Sequence, residues 1–120
     1  MNTKQLHDLK RLITINSFTQ NKQGVNLVGQ EVINLTKDLD LGWEITEHPK
    51  KGSLICGRTR NWDNNKPVIL LSGHIDTVFD KNWMHSQDDQ KFYGPGTMDM
   101  KAGVLVMVEA LKKLKSEGFK

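Results

Sequence analysis

Pro67-Val68-Ile69-Leu70-Leu71-Ser72-Gly73-His74-Ile75-Asp76 is the stretch that decides which architecture this chain can adopt. Residues 68–71 are continuously apolar. A short run of that kind, bounded by turn residues, predicts a strand buried on both faces, most easily inside a mixed or parallel sheet. Ser72-Gly73 ends it. His74 and Asp76 follow at once. Open α/β sheets build their sites at the carboxyl ends of their strands. A histidine and a carboxylate delivered there are therefore the first candidates for chemistry.

Working outward, residues 3–15 predict a first helix. Leu6, Leu9, Leu12 and Ile13 share its apolar face, Lys4, Asp8 and Arg11 its polar face, and Asn2 or Thr3 is placed to cap it. Residues 16–24 are polar and end on a glycine, as a loop does. Residues 26–41 predict a second helix, with Val28, Val32, Leu35 and Leu39 on one stripe and Gly42 where a C-terminal glycine is expected. Residues 43–48 alternate like a half-buried strand, 49–52 make a turn, and 53–58 return as the second strand of a hairpin. After the polar loop 60–66 comes the apolar strand. Residues 77–90 form a long connection that includes Trp83, His85, Asp88 and Asp89, and residues 91–93 a short strand. From about 100 to 117 a third helix is expected, with Val104, Met107, Val108, Leu111 and Leu114 at helical spacing and Gly118 at its end.

Helix, helix, three strands, a short strand and a helix make an α/β or α+β domain with one sheet, and the expected class is α/β, a mixed sheet flanked by helices. A sheet of this class normally continues with another strand after such a helix. The expectation for residues 1–120 is thus a partial domain, cut short.

The bulk composition narrows the function. An apolar fraction of 37% gives a modest core, and a net charge of +3 without any long basic block gives no footprint for nucleic acid. Lys112, Lys113 and Lys115 suit the solvent face of the last helix. Cys56 is the single cysteine, so no internal disulfide forms and nothing points to an oxidising compartment. No apolar run approaches the ~20 residues of a membrane span. The first residues lack the apolar core of a secretory signal, and the cytoplasm is the expected location.

His74 and Asp76 are two apart, so in extended chain they project to one side. One imidazole nitrogen can then face a metal while the other donates to the carboxylate, which fixes the tautomer and raises ligand basicity. Alone, His-x-Asp is a common accident. Asp99, between Gly94-Pro95-Gly96 and the start of a helix, has two compatible readings. One is a helix N-cap; the other is a carboxylate brought to the same edge as His74.

The segments Leu71-Ser-Gly-His-Ile-Asp-Thr-Val78 and Tyr93-Gly-Pro-Gly-Thr-Met-Asp-Met-Lys-Ala-Gly103, with His74 and Asp99 25 residues apart, closely resemble the co-catalytic zinc peptidases and deacylases. That superfamily includes glutamate carboxypeptidase, aminoacylase, acetylornithine deacetylase and succinyl-diaminopimelate desuccinylase. The resemblance runs from the first helix to the last and implies the amino-terminal part of a zinc-peptidase catalytic domain. It implies that His74 binds one metal, that Asp99 bridges two, and that Asp76 is the catalytic carboxylate that orients His74. No other cofactor is implied. It also implies a cis peptide bond between Asp99 and Met100. The reaction would be hydrolysis of an amide bond in a small peptide or N-acyl amino acid. Two divalent ions would assist, Zn2+ first and Co2+ or Mn2+ next. The Tyr93-Gly-Pro-Gly form leans toward the carboxypeptidase branch.

The superfamily's general base lies in a Glu-Glu pair beyond the bridging aspartate, and this chain has no such pair. Glu109 and Glu117 follow Asp99 on the last helix, and neither suits the role. The remaining ligands and the smaller dimerisation domain, through which a full-length parent would form a homodimer, are also missing. Residues 1–120 are accordingly expected to be an inactive fragment of an active parent that uses neither nucleic acid nor membrane. A non-catalytic binding or regulatory module that keeps half of the site is the alternative, and a chance arrangement in a generic α/β domain the third reading. His85 reads as a loop histidine within reach of substrate or solvent. His7 and His48 read as structural, Met98, Met100 and Met107 as packing, and Thr77 and Lys101 as motif residues without a chemical role.

Overall fold

The computed structural model describes residues 1–81, 86–88 and 91–119. The first helix, α1 (Thr3–Thr14), starts on a reciprocal cap. The Asn2 side chain accepts from the Gln5 backbone N–H at 2.9 Å, and the Asn2 N–H donates to Gln5 Oε1 at 3.0 Å. Two otherwise orphaned donors of the first turn are satisfied in this way. Leu9, Leu12 and Ile13 are buried, as their spacing predicts. Asp8 departs from the polar face assigned to it and is only 4% exposed. Lys4, one turn earlier, donates to it at 3.2 Å and compensates the charge.

The second helix, α2 (Lys22–Leu35), lies earlier in the chain than the apolar stripe suggests. Asn21 sets its start by accepting from the Gly24 N–H at 3.1 Å. Gly24 therefore belongs to the first turn, not to the loop. A Cβ there would meet the Asn16 carbonyl oxygen at 1.8 Å, so a glycine is required for the helix to begin against the preceding loop. The helix stops where the Thr36 hydroxyl donates back to the Val32 and Ile33 carbonyls. A short 3₁₀ turn, Lys37–Leu39, follows, and Asp40 takes the left-handed conformation expected of a glycine. Gly42, expected to end the helix, instead opens the first strand.

Strands β1 (Gly42–Thr46) and β2 (Leu54–Arg58) form the expected antiparallel hairpin, with Gly42 opposite Arg58 and Thr46 opposite Leu54. In its turn His48 Nδ1 accepts from the Lys50 and Lys51 N–H groups, a structural role. Ile45 and Leu54 remain exposed, so the hairpin is less buried than its alternation implies. Strands β3 (Ser86–Gln87) and β4 (Phe92–Tyr93) pair antiparallel as a second small sheet.

The mixed α/β class is thus observed, but the strand expected at 68–71 is not formed. Residues 67–76 are neither helix nor ladder-paired strand, and Ile69 and Leu70 are 92% and 81% exposed. A continuous apolar run becomes a doubly buried strand only when other strands flank it and layers cover both faces. Among the described residues β1 and β2 pair with each other, and none pairs with this run.

The last helix, α3 (Lys101–Ser116), ends before Gly118, which has a φ of +89°. Among the described residues nine buried side chains pack into one core cluster: Leu9, Leu12 and Ile13 of α1, Val28, Val32 and Leu35 of α2, and Val104, Leu105 and Val108 of α3. Lys101 is buried with them at 1% exposure. Its Nζ donates at 2.8 Å to each of the Leu12 and Ile15 carbonyls at the end of α1. Among the described residues no helix is long and apolar enough to cross a membrane.

Candidate metal centre

Three separate stretches meet at this site. The first is the loop between α1 and α2, which runs alongside residues 75–77. Phe18 and Thr77 form an isolated parallel bridge. The Thr77 N–H donates to the Ser17 carbonyl at 2.8 Å, and the Thr19 N–H donates to the Thr77 carbonyl at 3.0 Å. The fully buried Ser17 hydroxyl donates to the Ile75 carbonyl at 2.8 Å. These bonds stand in for the missing ladder and hold the second stretch, residues 74–77, extended.

In that extended segment His74 and Asp76 do face the same side. His74 Nδ1 lies 3.2 Å from Asp76 Oδ1 and 3.1 Å from the Asp76 carbonyl. The third stretch brings Asp99, whose Oδ1 is 2.8 Å from His74 Nε2. Gly94, Pro95 and Gly96, which precede it in the chain, are buried. Gly96 has a φ of +86°, and a Cβ there would come within 2.7 Å of the Lys101 side chain. The Asp99–Met100 bond is cis, as the resemblance implies. Asp99 does not cap α3: the N-cap position is Met100, with no side-chain cap bond. The carboxylate is left with its side chain 83% exposed, against 47% for His74.

Partial burial works against the charged imidazole of His74. The hydrogen bond to Asp99, the Asp76 carbonyl and the charges of both carboxylates outweigh it and hold the pKa above the usual 6.5. A shallow hollow of about 150 Å³ opens here, lined by His74, Asp76, Thr77, Val78, Phe79 and Asp99.

His74 Nε2 and Asp99 Oδ1 face each other at 2.8 Å, an imidazole nitrogen and a carboxylate oxygen of the kinds that suit a divalent ion of borderline or hard character. They are not a complete set. Among the described residues no group of three His, Cys, Asp or Glu side chains could hold a metal ion. Asp76 is turned to the back of His74. Glu109 is engaged elsewhere, accepting from Gln5 and Lys112. His7 lies on α1, 3.8 Å from Asp8. His85, Trp83 and Asp89 lie outside the described residues.

Two side chains in this arrangement escape sequence reasoning. Thr19 donates to the second oxygen of Asp76, Oδ2, at 2.5 Å. Nothing distinguishes its hydroxyl from others in a polar loop. Lys101 did leave a signal: it stands three and four residues before Val104 and Leu105, on the buried face of α3.

Residues 70–120 match the model of peptidase family M20/M25/M40. Over these residues the chain is similar to this family, in agreement with the resemblance carried by the motifs around His74 and Asp99. It is 39% identical over 96 residues to a probable succinyl-diaminopimelate desuccinylase of Staphylococcus aureus (strain MRSA252), covering 72% of this chain and 24% of that protein. It is 34% identical over 100 residues to an acetylornithine deacetylase of Vibrio campbellii, covering 77% and 25%. It is 29% identical over 118 residues to carboxypeptidase G2 of Pseudomonas sp. (strain RS-16), covering 92% and 28%. The chain spans about a quarter of the length of these relatives. The M20/M25/M40 match takes in His74, Asp76, Asp99 and Lys101, whereas Thr19 precedes it.

Proposed function

We propose that this chain supplies part of the metal centre of an amide-bond hydrolase, an exopeptidase of the carboxypeptidase type or an N-acyl amino acid deacylase. The observation that carries the reading is the approach of His74 Nε2 and Asp99 Oδ1 to 2.8 Å with Asp76 behind the imidazole. His74 would hold one divalent ion through Nε2, and the Asp99 carboxylate would bridge two. Such ions, Zn2+ first and Co2+ or Mn2+ next, supply Lewis acidity toward a scissile carbonyl and toward water. Asp76, by accepting from Nδ1–H, would leave Nε2 free to hold the ion and make it more basic. The hollow lined by Thr77, Val78 and Phe79 borders the donors on the side where a small acyl or peptide substrate would lie.

A general base has to take a proton from water and pass it to the leaving amine. Among the described residues no glutamate lines the hollow, and Glu109 is held on α3 by Gln5 and Lys112. Residues 1–120 therefore read as part of a catalytic domain, inactive on their own, in a family whose relatives are about four times as long. The single cysteine agrees with a cytoplasmic enzyme.

Titration of the chain with Zn2+ or Co2+ tests the centre. The unsubstituted chain is expected to bind weakly through its two donors and His74→Ala to lose binding. Unchanged metal uptake in His74→Ala would overturn the assignment. Hydrolysis of N-acyl amino acids against C-terminal amino acid amides, by a protein of the relatives' full length, would then separate the deacylase from the carboxypeptidase reading.

A further inference from the structure

We propose that Thr19 is a positioning residue for this centre: its hydroxyl fixes the Asp76 carboxylate so that Asp76 in turn fixes His74. The proposal rests on the metal-centre reading above and adds a residue from outside the motif-bearing segments.

Asp76 has two oxygens with different partners. Oδ1 faces His74 Nδ1 at 3.2 Å, and Oδ2 receives the Thr19 hydroxyl at 2.5 Å. The second contact is in the short range of charge-assisted O–H···O⁻ bonds, which are roughly twice as strong as neutral ones. A carboxylate turns freely about its last torsion, whose energy wells are broad. Holding one oxygen sets the plane of the group and so the direction in which the other meets the imidazole.

Thr19 is suited to be the fixed end of this chain of contacts. Its own N–H is bonded to the Thr77 carbonyl at 3.0 Å, next to the Phe18–Thr77 bridge. Its β-branched side chain has a restricted first torsion. The Thr77 carbonyl is a second acceptor for the hydroxyl at 3.3 Å, but the charged oxygen is far closer and wins. The order of control is then Thr19, Asp76, His74. A threonine 57 residues before Asp76 sets the orientation of a proposed metal ligand that it never touches.

A merely structural Thr19, one that only ties the loop to residues 75–77, would act without Asp76. The test is a double-mutant cycle read by Zn2+ affinity, with binding followed on the His74 NMR signals. It compares the unsubstituted chain, Thr19→Val, Thr19→Ser, Asp76→Ala and Thr19→Val/Asp76→Ala, with thermal melts of the metal-free proteins alongside. Thr19→Val is expected to weaken Zn2+ binding about 10-fold, the lower end of the range for outer partners of metal ligands. Thr19→Ser, which keeps the hydroxyl, is expected to restore it. In the Asp76→Ala background, where the link is gone, Thr19→Val is expected to add nothing, because the residues act in series.

Parent-like affinity in Thr19→Val overturns the proposal, and so does an equal loss in both backgrounds. Either result leaves the metal-centre reading standing, provided His74→Ala abolishes binding. A parent that takes up no Zn2+ overturns both.

Discussion

Glu109 sits on α3 among partners that all favour its charged form. Gln5 Nε2 donates to it at 3.1 Å, Lys112 Nζ at 3.0 Å, and the charge of Lys4 adds to both. The Gln5 bond leads, partial burial opposes it, and the net effect holds the carboxyl below the usual 4.5. A carboxyl whose folded pKa is depressed contributes stability above its unfolded value and loses it as the pH falls through the folded one. Glu109→Gln should therefore lower stability near pH 6 by about 0.5 kcal/mol, the size of a partly exposed pair. The gap to the parent should close as the pH drops below 4.5. Thermal melts of both proteins from pH 6 to pH 3 check this, and a gap that stays constant would show that Glu109 takes no part in acid sensitivity. The same scale explains why some site residues are readable and others are not. His74, Asp76 and Asp99 stand in short, glycine-flanked motifs whose spacing carries chemistry. Thr19 carries no such mark, since its importance lies in a partner 57 positions away.

At the scale of elements, Lys101 is the joint between α1 and α3. Its ammonium lies at the carbonyl end of α1, where a cation is favoured by the helix dipole. Burial nevertheless pushes its pKa down to about 8. Lys101→Met keeps the stem and removes the donor, so the Leu12 and Ile15 carbonyls lose a partner inside the fold. The expected cost is about 1–3 kcal/mol, read as a lower denaturant midpoint with the slope unchanged. An unaltered midpoint would show that water replaces the ammonium at both carbonyls. Elements also show where periodicity misleads. The stripe of α2 is correctly read for Val28, Val32 and Leu35, whereas Leu39 falls in the 3₁₀ turn, because the helix ends are set by Asn21 and Thr36, two polar side chains that bond to backbone groups. Apolar spacing does not register such bonds. The pairing of the hairpin, by contrast, is legible, because alternation and a Pro-Lys-Lys-Gly turn point to the same local structure, although its half-buried face is not formed at Ile45 and Leu54.

For the whole molecule, the main departure from expectation is residues 68–71. The run has the composition of a sheet's centre and the surroundings of a surface. What the sequence could not contain was its neighbours, since a run of four apolar residues says how it wishes to be buried but not by what. Exposed apolar chain with unpaired backbone is a site of self-association. The double substitution Ile69→Lys/Leu70→Glu should reduce light scattering that grows with protein concentration. It should shift folding stability by no more than about 0.5 kcal/mol, as surface changes do. Scattering that is indifferent to the substitution would place the sticky surface elsewhere.

The seam between the α1–α2 loop and residues 75–77 also has a consequence in time. The groups it joins are far apart along the chain, and closing so long a loop carries an entropic cost that local helices and hairpins do not face. Helical turns and the β1–β2 hairpin can appear while the seam is still open. The imidazole and its two carboxylates then come together late, so during refolding the capacity to take up a metal would lag behind the recovery of helix.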